Sequence, residues 1–262
     1  MRFSKWHALG NAYLLVERAE DARPLTAEGV RRLCDPRVGI GSDGVLEVRR
    51  EGETADVAVW NPDGSQAEFS GNGARIAAAW LAAAAGAADV VLRFGAREVP
   101  ASVRGRDVAI DVGAVEVGPP EELELELGPL EFTPVSVGNP HAVVRREFTD
   151  LDVVRLGPLV ECHTRFPGRT NVQLVHVTGP QELEIGIWER GVGPTRSSGS
   201  SSVAAAAAGV ANGWVESPVT VRVPGGGALT VTIEDGRARL AGPVEEICRG
   251  EVIAPLEPRA AS

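Results

Sequence analysis

The sequence predicts an α/β or α+β fold built as two similar lobes by internal duplication. Three observations carry that prediction: a repeat that holds one register, alternating strands at matching places, and a Ser-Gly turn opening an alanine-rich helix in each copy. Gly10-Asn11 returns 128 positions later as Gly138-Asn139. The same spacing carries Gly29 to Gly157, Cys34 to Cys162, Arg37 to Arg165, Leu46 to Leu174 and Trp60 to Trp188. It also carries Ser70-Gly71 to Ser198-Gly199 and Ala77-Ala78-Ala79 to Ala205-Ala206-Ala207, with no gap needed. Self-similarity at a fixed period marks a duplicated structural unit. The break falls near Gly118-Pro119-Pro120, which gives lobes 1–116 and 117–249, with 250–262 a candidate addition to the first.

The elements follow in the same order in each copy. Asp56-Val57-Ala58-Val59-Trp60 and Glu184-Ile185-Gly186-Ile187-Trp188 read as strands. A polar, glycine-bearing turn comes next, then Ser-Gly, then a helix of good helix formers. The longest apolar run, Ile76 to Val91, reads as one buried helix. It is mostly alanine and too short to span a bilayer, which takes about 20 strongly apolar residues. Val219-Thr220-Val221-Arg222-Val223, before Pro224-Gly225-Gly226-Gly227, is a further strand. Long helical crossovers are not evident, which argues against a purely parallel, doubly wound sheet. A cleft between the lobes is the natural place for a ligand.

Composition narrows the function. The 262 residues carry a net charge of −10, which argues against nucleic acid or an anionic membrane surface as partner. Three cysteines without a C-x-x-C pair make neither a disulfide framework nor a structural zinc site. The repeat pairs Cys34 with Cys162, so both are expected to be buried and structural, while Cys248 has no assigned role. The N-terminal Met1-Arg2-Phe3-Ser4-Lys5-Trp6-His7 lacks the apolar stretch of a signal peptide, and a cytoplasmic location is expected. Pro258-Arg259-Ala260-Ala261-Ser262 is expected to be frayed.

The repeated turns, Ser70-Gly71-Asn72-Gly73 and Ser198-Gly199-Ser200-Ser201, admit two readings. Each serine can simply cap its helix. Alternatively, the N–H groups and dipole of each helix N-terminus can hold a small carboxylate. A phosphate loop is excluded, since no G-x-x-x-x-G-K-[ST] occurs and Lys5 is the only lysine. Gly71-x-Gly73 lacks a third glycine, so a nicotinamide cofactor is not indicated. Asn11, Asn61, Asn72, Asn139 and Asn171 stand beside glycine, proline or a strand end, as turn residues or as ligands for an amino acid. Glu189-Arg190 can be a surface ion pair or part of a site, and His141 a core residue or an acid–base group.

The whole series resembles the diaminopimelate epimerase family. The segments that carry the resemblance begin with His7-Ala8-Leu9-Gly10-Asn11, Gly39-Ile40-Gly41-Ser42-Asp43-Gly44 and Asn61-Pro62-Asp63-Gly64-Ser65. They continue with Ser70-Gly71-Asn72-Gly73-Ala74-Arg75, Gly138-Asn139-Pro140-His141 and Thr170-Asn171-Val172. Trp188-Glu189-Arg190-Gly191-Val192-Gly193 and Pro224-Gly225-Gly226 complete it, so that it covers almost the whole chain. The resemblance implies an α+β fold of two pseudo-symmetric lobes, each a curved mixed or antiparallel sheet around a central helix. It implies stereoinversion of LL-diaminopimelate to the meso form in lysine and peptidoglycan precursor synthesis, without pyridoxal phosphate, metal or other cofactor. A diaminopimelate-like amino acid is then the expected partner, and a homodimer the expected assembly. One group must remove the weakly acidic α-proton while another delivers a proton to the opposite face.

By the same resemblance, Asn11, Asn61, Asn139, Asn171, Glu189 and Arg190 hold the substrate, and Gly71, Asn72, Gly199 and Ser200 supply backbone N–H groups. His141 and Glu189 tune the acid–base pair. The departure falls on that pair, because the family places a catalytic cysteine immediately before Gly71 and another before Gly199, and this chain has Ser70 and Ser198. A hydroxyl is a much weaker acid than a thiol and needs an adjacent activating group. Lesser departures are Ala12, Pro194 and Ser201, where the family more often has aspartate, glutamate and glycine. Three readings remain: an epimerase weakened or silenced by loss of both thiols, a serine-bearing racemase or dehydratase of another amino acid, and a non-catalytic amino-acid binder.

Overall fold

The computed structural model describes residues 1–18 and 25–253. The expected frayed segment, 258–262, lies outside them. The chain divides into two compact units, Met1–Ile110 with the segment from Gly242 onward, and Asp111–Ala241. The sequence placed these divisions at 116/117 and 249/250. Glu116 and Val117 already pair with Ser136 and Val135 of the second unit.

Unit 1 runs β1 (Arg2–Ala8), β2 (Asn11–Glu17), α1 (Ala27–Cys34), β3 (Val45–Glu51), β4 (Thr54–Trp60), β5 (Gln66–Ala67), α2 (Gly71–Ala85), β6 (Asp89–Phe94), β7 (Arg97–Arg104) and the start of β8 (Asp107–Ala114). Its last strand, β19 (Glu245–Glu251), comes from the far end of the described chain. Most neighbours are antiparallel, but β2–β3 and β4–β6 are parallel, and the chain between them forms α1 and α2 respectively. Helical crossovers are therefore present in a mixed sheet.

Unit 2 repeats this order. After β9 (Glu116–Val117) and β10 (Glu121–Leu125) come β11 (Gly128–Ser136), β12 (Pro140–Arg145), α3 (Asp150–Glu161), β13 (Asn171–Gly179), β14 (Glu182–Glu189) and β15 (Gly193–Pro194). Then follow α4 (Gly199–Ala211), β16 (Val219–Arg222), β17 (Ala228–Glu234) and β18 (Arg237–Pro243). The parallel pairs are β12–β13 and β14–β16, the counterparts of those in unit 1. The two repeats also exchange strands reciprocally. β9 follows the last strand of the first repeat yet pairs with β11 of unit 2. β19 follows the last strand of the second repeat yet pairs with β1 of unit 1.

The central helices are buried on nearly every side because they carry small apolar residues all round. Helix α2 packs against β1, β2, β3, β4, β6 and β7, and α4 against β11, β12, β13, β14, β16 and β17. The apolar run 76–91 is thus not one helix. Gly86 closes α2 in the left-handed region, with φ 70° and its N–H bonded to Ala82 O, and Val90-Val91 belong to β6. Around α1, Leu14, Val30, Leu33, Val45 and Trp60 form one core cluster. Around α3, Phe132, Val144, Leu156, Val160 and Leu174 form its counterpart, with Trp188 against it.

Two sequence expectations are corrected. Cys34 is buried, but Cys162 is exposed, because α3 extends to Glu161 and leaves Cys162 as its C-cap. The gap-free register also fails on one strand. Val45 opposes Trp60 in unit 1, whereas Val172, not Gln173, opposes Trp188 in unit 2. A bulge between Val177 and Gly179 restores the spacing at the end of β13. Leu46 therefore corresponds to Gln173 rather than to Leu174, and a one-residue slip changes which face of the sheet a side chain meets.

No helix among the described residues is long and apolar enough to cross a membrane.

Candidate active site

In unit 1 the candidate residues gather at the N-terminus of α2. Ser70, extended at φ −140° and ψ 121°, is its N-cap, and Gly73 N donates to Ser70 Oγ at 3.0 Å. The Tyr13 hydroxyl lies 3.1 Å from the same oxygen. Gly71 opens the helix, and the next residue, Asn72, is buried. Asn72 Nδ2 donates to Asn11 Oδ1 at 3.0 Å, and Arg75 Nη2 donates to Asn72 Oδ1 at 2.5 Å. Asn11 Nδ2 in turn donates to Asp43 Oδ2 at 3.3 Å, and Ala12 N reaches that oxygen at 2.7 Å. One chain of bonds thus runs Arg75–Asn72–Asn11–Asp43. Arg75 is fully buried, and burial lowers its pKa to about 10, so it keeps its charge at neutral pH. Asn61 stands apart from this chain. It closes the turn after β4 through Nδ2 to Ser65 Oγ, 3.0 Å, and Gly64 N to its carbonyl, 3.0 Å.

In unit 2 the corresponding N-terminus belongs to α4. Ser198 is the N-cap, and its oxygen accepts from Ser201 N at 3.5 Å, a longer bond than its counterpart in unit 1. Gly199 opens the helix, and Ser200 Oγ lies 3.5 Å from Ser198 Oγ. Burial pushes the Glu189 carboxyl above its ordinary value, while the Ser198 and Thr195 hydroxyls beside it oppose that rise. Arg190 is exposed, and its Nη1 donates to Gly168 O at 3.2 Å. Its backbone N–H donates to Asn171 Oδ1 at 3.0 Å, and Asn171 Nδ2 donates to Pro140 O at 3.0 Å. Asn171 therefore ties the turn after β14 to the start of β12.

His141 sits on β12 at 1% exposure. Gln173 Nε2 donates to Ser201 Oγ at 3.0 Å, so Gln173 Oε1 is the end that faces His141 Nδ1 at 3.2 Å and accepts its proton. Burial first, then the charge of Arg190, holds the imidazole at about 4 despite the Gln173 bond, so the ring is neutral at pH 7. With the proton on Nδ1, Nε2 carries a lone pair. Asn139 Oδ1 lies 3.1 Å from Nε2.

The sequence did not single out Tyr13, Gln173 or Glu161, and it quoted Asp43 and Arg75 only inside motifs. Gln173 had a readable signal, a polar residue inside the run Val172 to Val175. Glu161 had none. It ends α3, is 5% exposed, and accepts from Trp188 Nε1 at 2.7 Å and from Gly191 N at 2.8 Å. These bonds fix the backbone of the turn that carries Glu189 and Arg190.

The family model for diaminopimelate epimerase matches residues 3–118 and 133–246, one segment per repeat. The diaminopimelate epimerase of Thermobifida fusca is 38% identical over 273 residues, covering 96% of this chain and 98% of its own length. That of Magnetococcus marinus is 34% identical over 273 residues, covering 96% and 97%. Among solved structures, a hydroxyproline epimerase from Agrobacterium vitis with bound trans-4-hydroxy-L-proline superposes with a TM-score of 0.71 at 16% identity, covering 95% of this chain and 91% of its own. A phenazine biosynthesis protein of the PhzF family from Bacillus anthracis gives 0.71 at 14% identity, covering 97% and 99%. The two distant structures share the fold. The two sequence relatives and the two-segment match go further: this chain belongs to the diaminopimelate epimerase family.

Proposed function

We propose that the protein is a cofactor-independent isomerase that inverts one α-carbon of diaminopimelate, LL to meso, in the cytoplasmic supply of lysine and peptidoglycan precursors, and that it works as a homodimer. One observation carries this reading: each repeat sets a serine hydroxyl at the N-terminus of its central helix, at the family's thiol position, among the family's asparagines. Such termini favour a carboxylate and stabilise charge developing beside it. Asn11, Asn61, Asn139, Asn171, Glu189 and Arg190 are the substrate-holding set, with the N–H groups of Gly71, Asn72, Gly199 and Ser200. Ser70 and Ser198 are the proton-transfer positions, and His141 and Glu189 tune them. Two hydroxyls in place of two thiols make proton transfer slow.

The test is α-proton exchange by NMR in deuterated water with LL-diaminopimelate. Slow exchange is expected from the chain as it stands. The Ser70→Cys, Ser198→Cys double variant should exchange faster by at least about 10²-fold, the lower range for one well-placed acid or base. If neither protein exchanges, the epimerase reading fails. The loss of both thiols favours a second reading, an amino-acid binder, which calorimetry would reveal as tight binding of diaminopimelate with no exchange even after both thiols are restored.

A further inference from the structure

We propose that Tyr13 is the proton source behind Ser70, so that unit 1 supplies the proton-delivering half of the reaction through a Tyr13–Ser70 relay. This rests on the epimerase reading for its substrate, and on the following geometry for its direction.

Ser70 Oγ has one proton and two lone pairs. Gly73 N donates to one lone pair at 3.0 Å. The Tyr13 hydroxyl, 3.1 Å away, fills the other when its own proton points at Ser70. With both lone pairs occupied, the Ser70 hydroxyl acts only as a donor. Ser198 is placed differently. Ser201 N donates to its oxygen at 3.5 Å and the Ser200 hydroxyl lies 3.5 Å away, and since Tyr13 is the only tyrosine of the chain no phenol stands behind it. Unit 1 alone carries a second, phenolic proton behind its hydroxyl.

The position of the phenol is itself built in. Tyr13 is 7% exposed on β2, and a Cβ on Gly44 would come within 2.6 Å of its ring carbon Cε1. Glycine at 44 leaves the room that the ring occupies. A phenol ordinarily ionises near 10, far below an aliphatic alcohol, so a phenol behind a serine hydroxyl is the better ultimate proton source of the two. In the delivering step, Ser70 Oγ–H breaks as its proton bonds to the carbanionic α-carbon. Tyr13 Oη–H breaks with it and re-forms Ser70 Oγ–H. The negative charge leaves the carbon and ends on Tyr13 as a phenolate, which a solvent proton then neutralises.

The test is a double-mutant cycle on the exchange reaction, using Tyr13→Phe, Ser70→Cys and both together, with the Ser70→Cys, Ser198→Cys protein alongside. Tyr13→Phe keeps the ring and removes only the hydroxyl. It should lower kcat on the order of 10²-fold with KM unchanged, the lower range for one proton-transfer group. In the Ser70→Cys background, where a thiol needs no phenol behind it, the same change should leave kcat nearly as it was. Equal losses in both backgrounds would show a structural role and overturn the relay. Exchange by the thiol-bearing proteins but none by the native serine protein would also overturn it while sparing the epimerase reading. Silence from every protein sinks the epimerase reading itself, and the relay with it.

Discussion

The first turns of α2 and α4 are the same piece of chain folded twice, yet what surrounds them differs in kind. At α2, Ser70 is met by a phenol and a short capping bond, and the helix carries Gly73 where Leu46 presses in. At α4, Ser198 has the Glu189 carboxyl beside it, the capping bond is long, and Ser201 and Gln173 stand where Gly73 and Leu46 stand in the first repeat. Apolar contact in unit 1 has become a hydrogen-bonded line, Asn139–His141–Gln173–Ser201, in unit 2. Even the paired tryptophans differ. Trp60 Nε1 donates to Glu47 on β3, and Trp188 Nε1 to Glu161 at the end of α3. Duplication preserved the helix start and the sheet, while each copy found its own way to satisfy buried polar atoms, as buried polar atoms require.

Breaking the polar line should have the largest effect on stability. Gln173→Leu makes unit 2 resemble unit 1 but strands His141 Nδ1 and Ser201 Oγ without partners. A loss of about 3 kcal/mol is expected in urea unfolding, from two buried groups left unsatisfied. A loss below about 1 kcal/mol would mean the line is dispensable.

The second effect depends on pH. His141 has a folded pKa of about 4, below its unfolded value of 6.5, so between these values the unfolded chain binds more protons. Its contribution is complete above pH 6.5 and is lost as the pH falls towards 4. Between pH 7 and pH 5 the native protein should therefore lose about 2 kcal/mol more than His141→Gln does. Parallel pH profiles for the two would refute a neutral, buried His141.

The smallest effect sharpens the comparison at the crossover helices. Helix α1 has a single cap, Gly29 N to Thr26 Oγ1 at 3.1 Å. Helix α3 has a reciprocal pair in which Asp152 Oδ2 also accepts from Thr149 N at 2.8 Å. Thr26→Ala should cost about 1 kcal/mol. Thr149→Ala should cost about half of that, because the Asp152 bond to the backbone survives. Equal losses would show that the reciprocal bond adds nothing.

Repetition is what made the fold legible. Alternating strands, the Ser-Gly helix starts and the paired tryptophans are local patterns, and seeing each twice fixed their order along the chain. What stayed hidden depends on residues distant in sequence. Tyr13 reads as an aromatic strand residue, and only the fold sets it against Ser70, 57 positions away. Gap-free matching sets Leu46 against Leu174 rather than Gln173, because a single bulged residue late in β13 is invisible to it. Alanine before and after Gly86 disguised a helix end as a continuous run. The candidate asparagines were found by their neighbours, whereas the charges that hold them, Asp43 and Arg75, act through the folded chain.

The exchanged strands decide when this protein can finish folding. β1 is made long before β19, yet Arg2 pairs with Glu251, and Met1 and Val252 exchange backbone bonds of 3.0 and 2.8 Å across 251 positions. A domain whose strands were contiguous could close while the rest was still being made. Here the N-terminal repeat must wait, with one strand edge open, until the other repeat has been synthesised. So wide a contact also slows folding. Only once β19 has been made does β1 acquire its last neighbour.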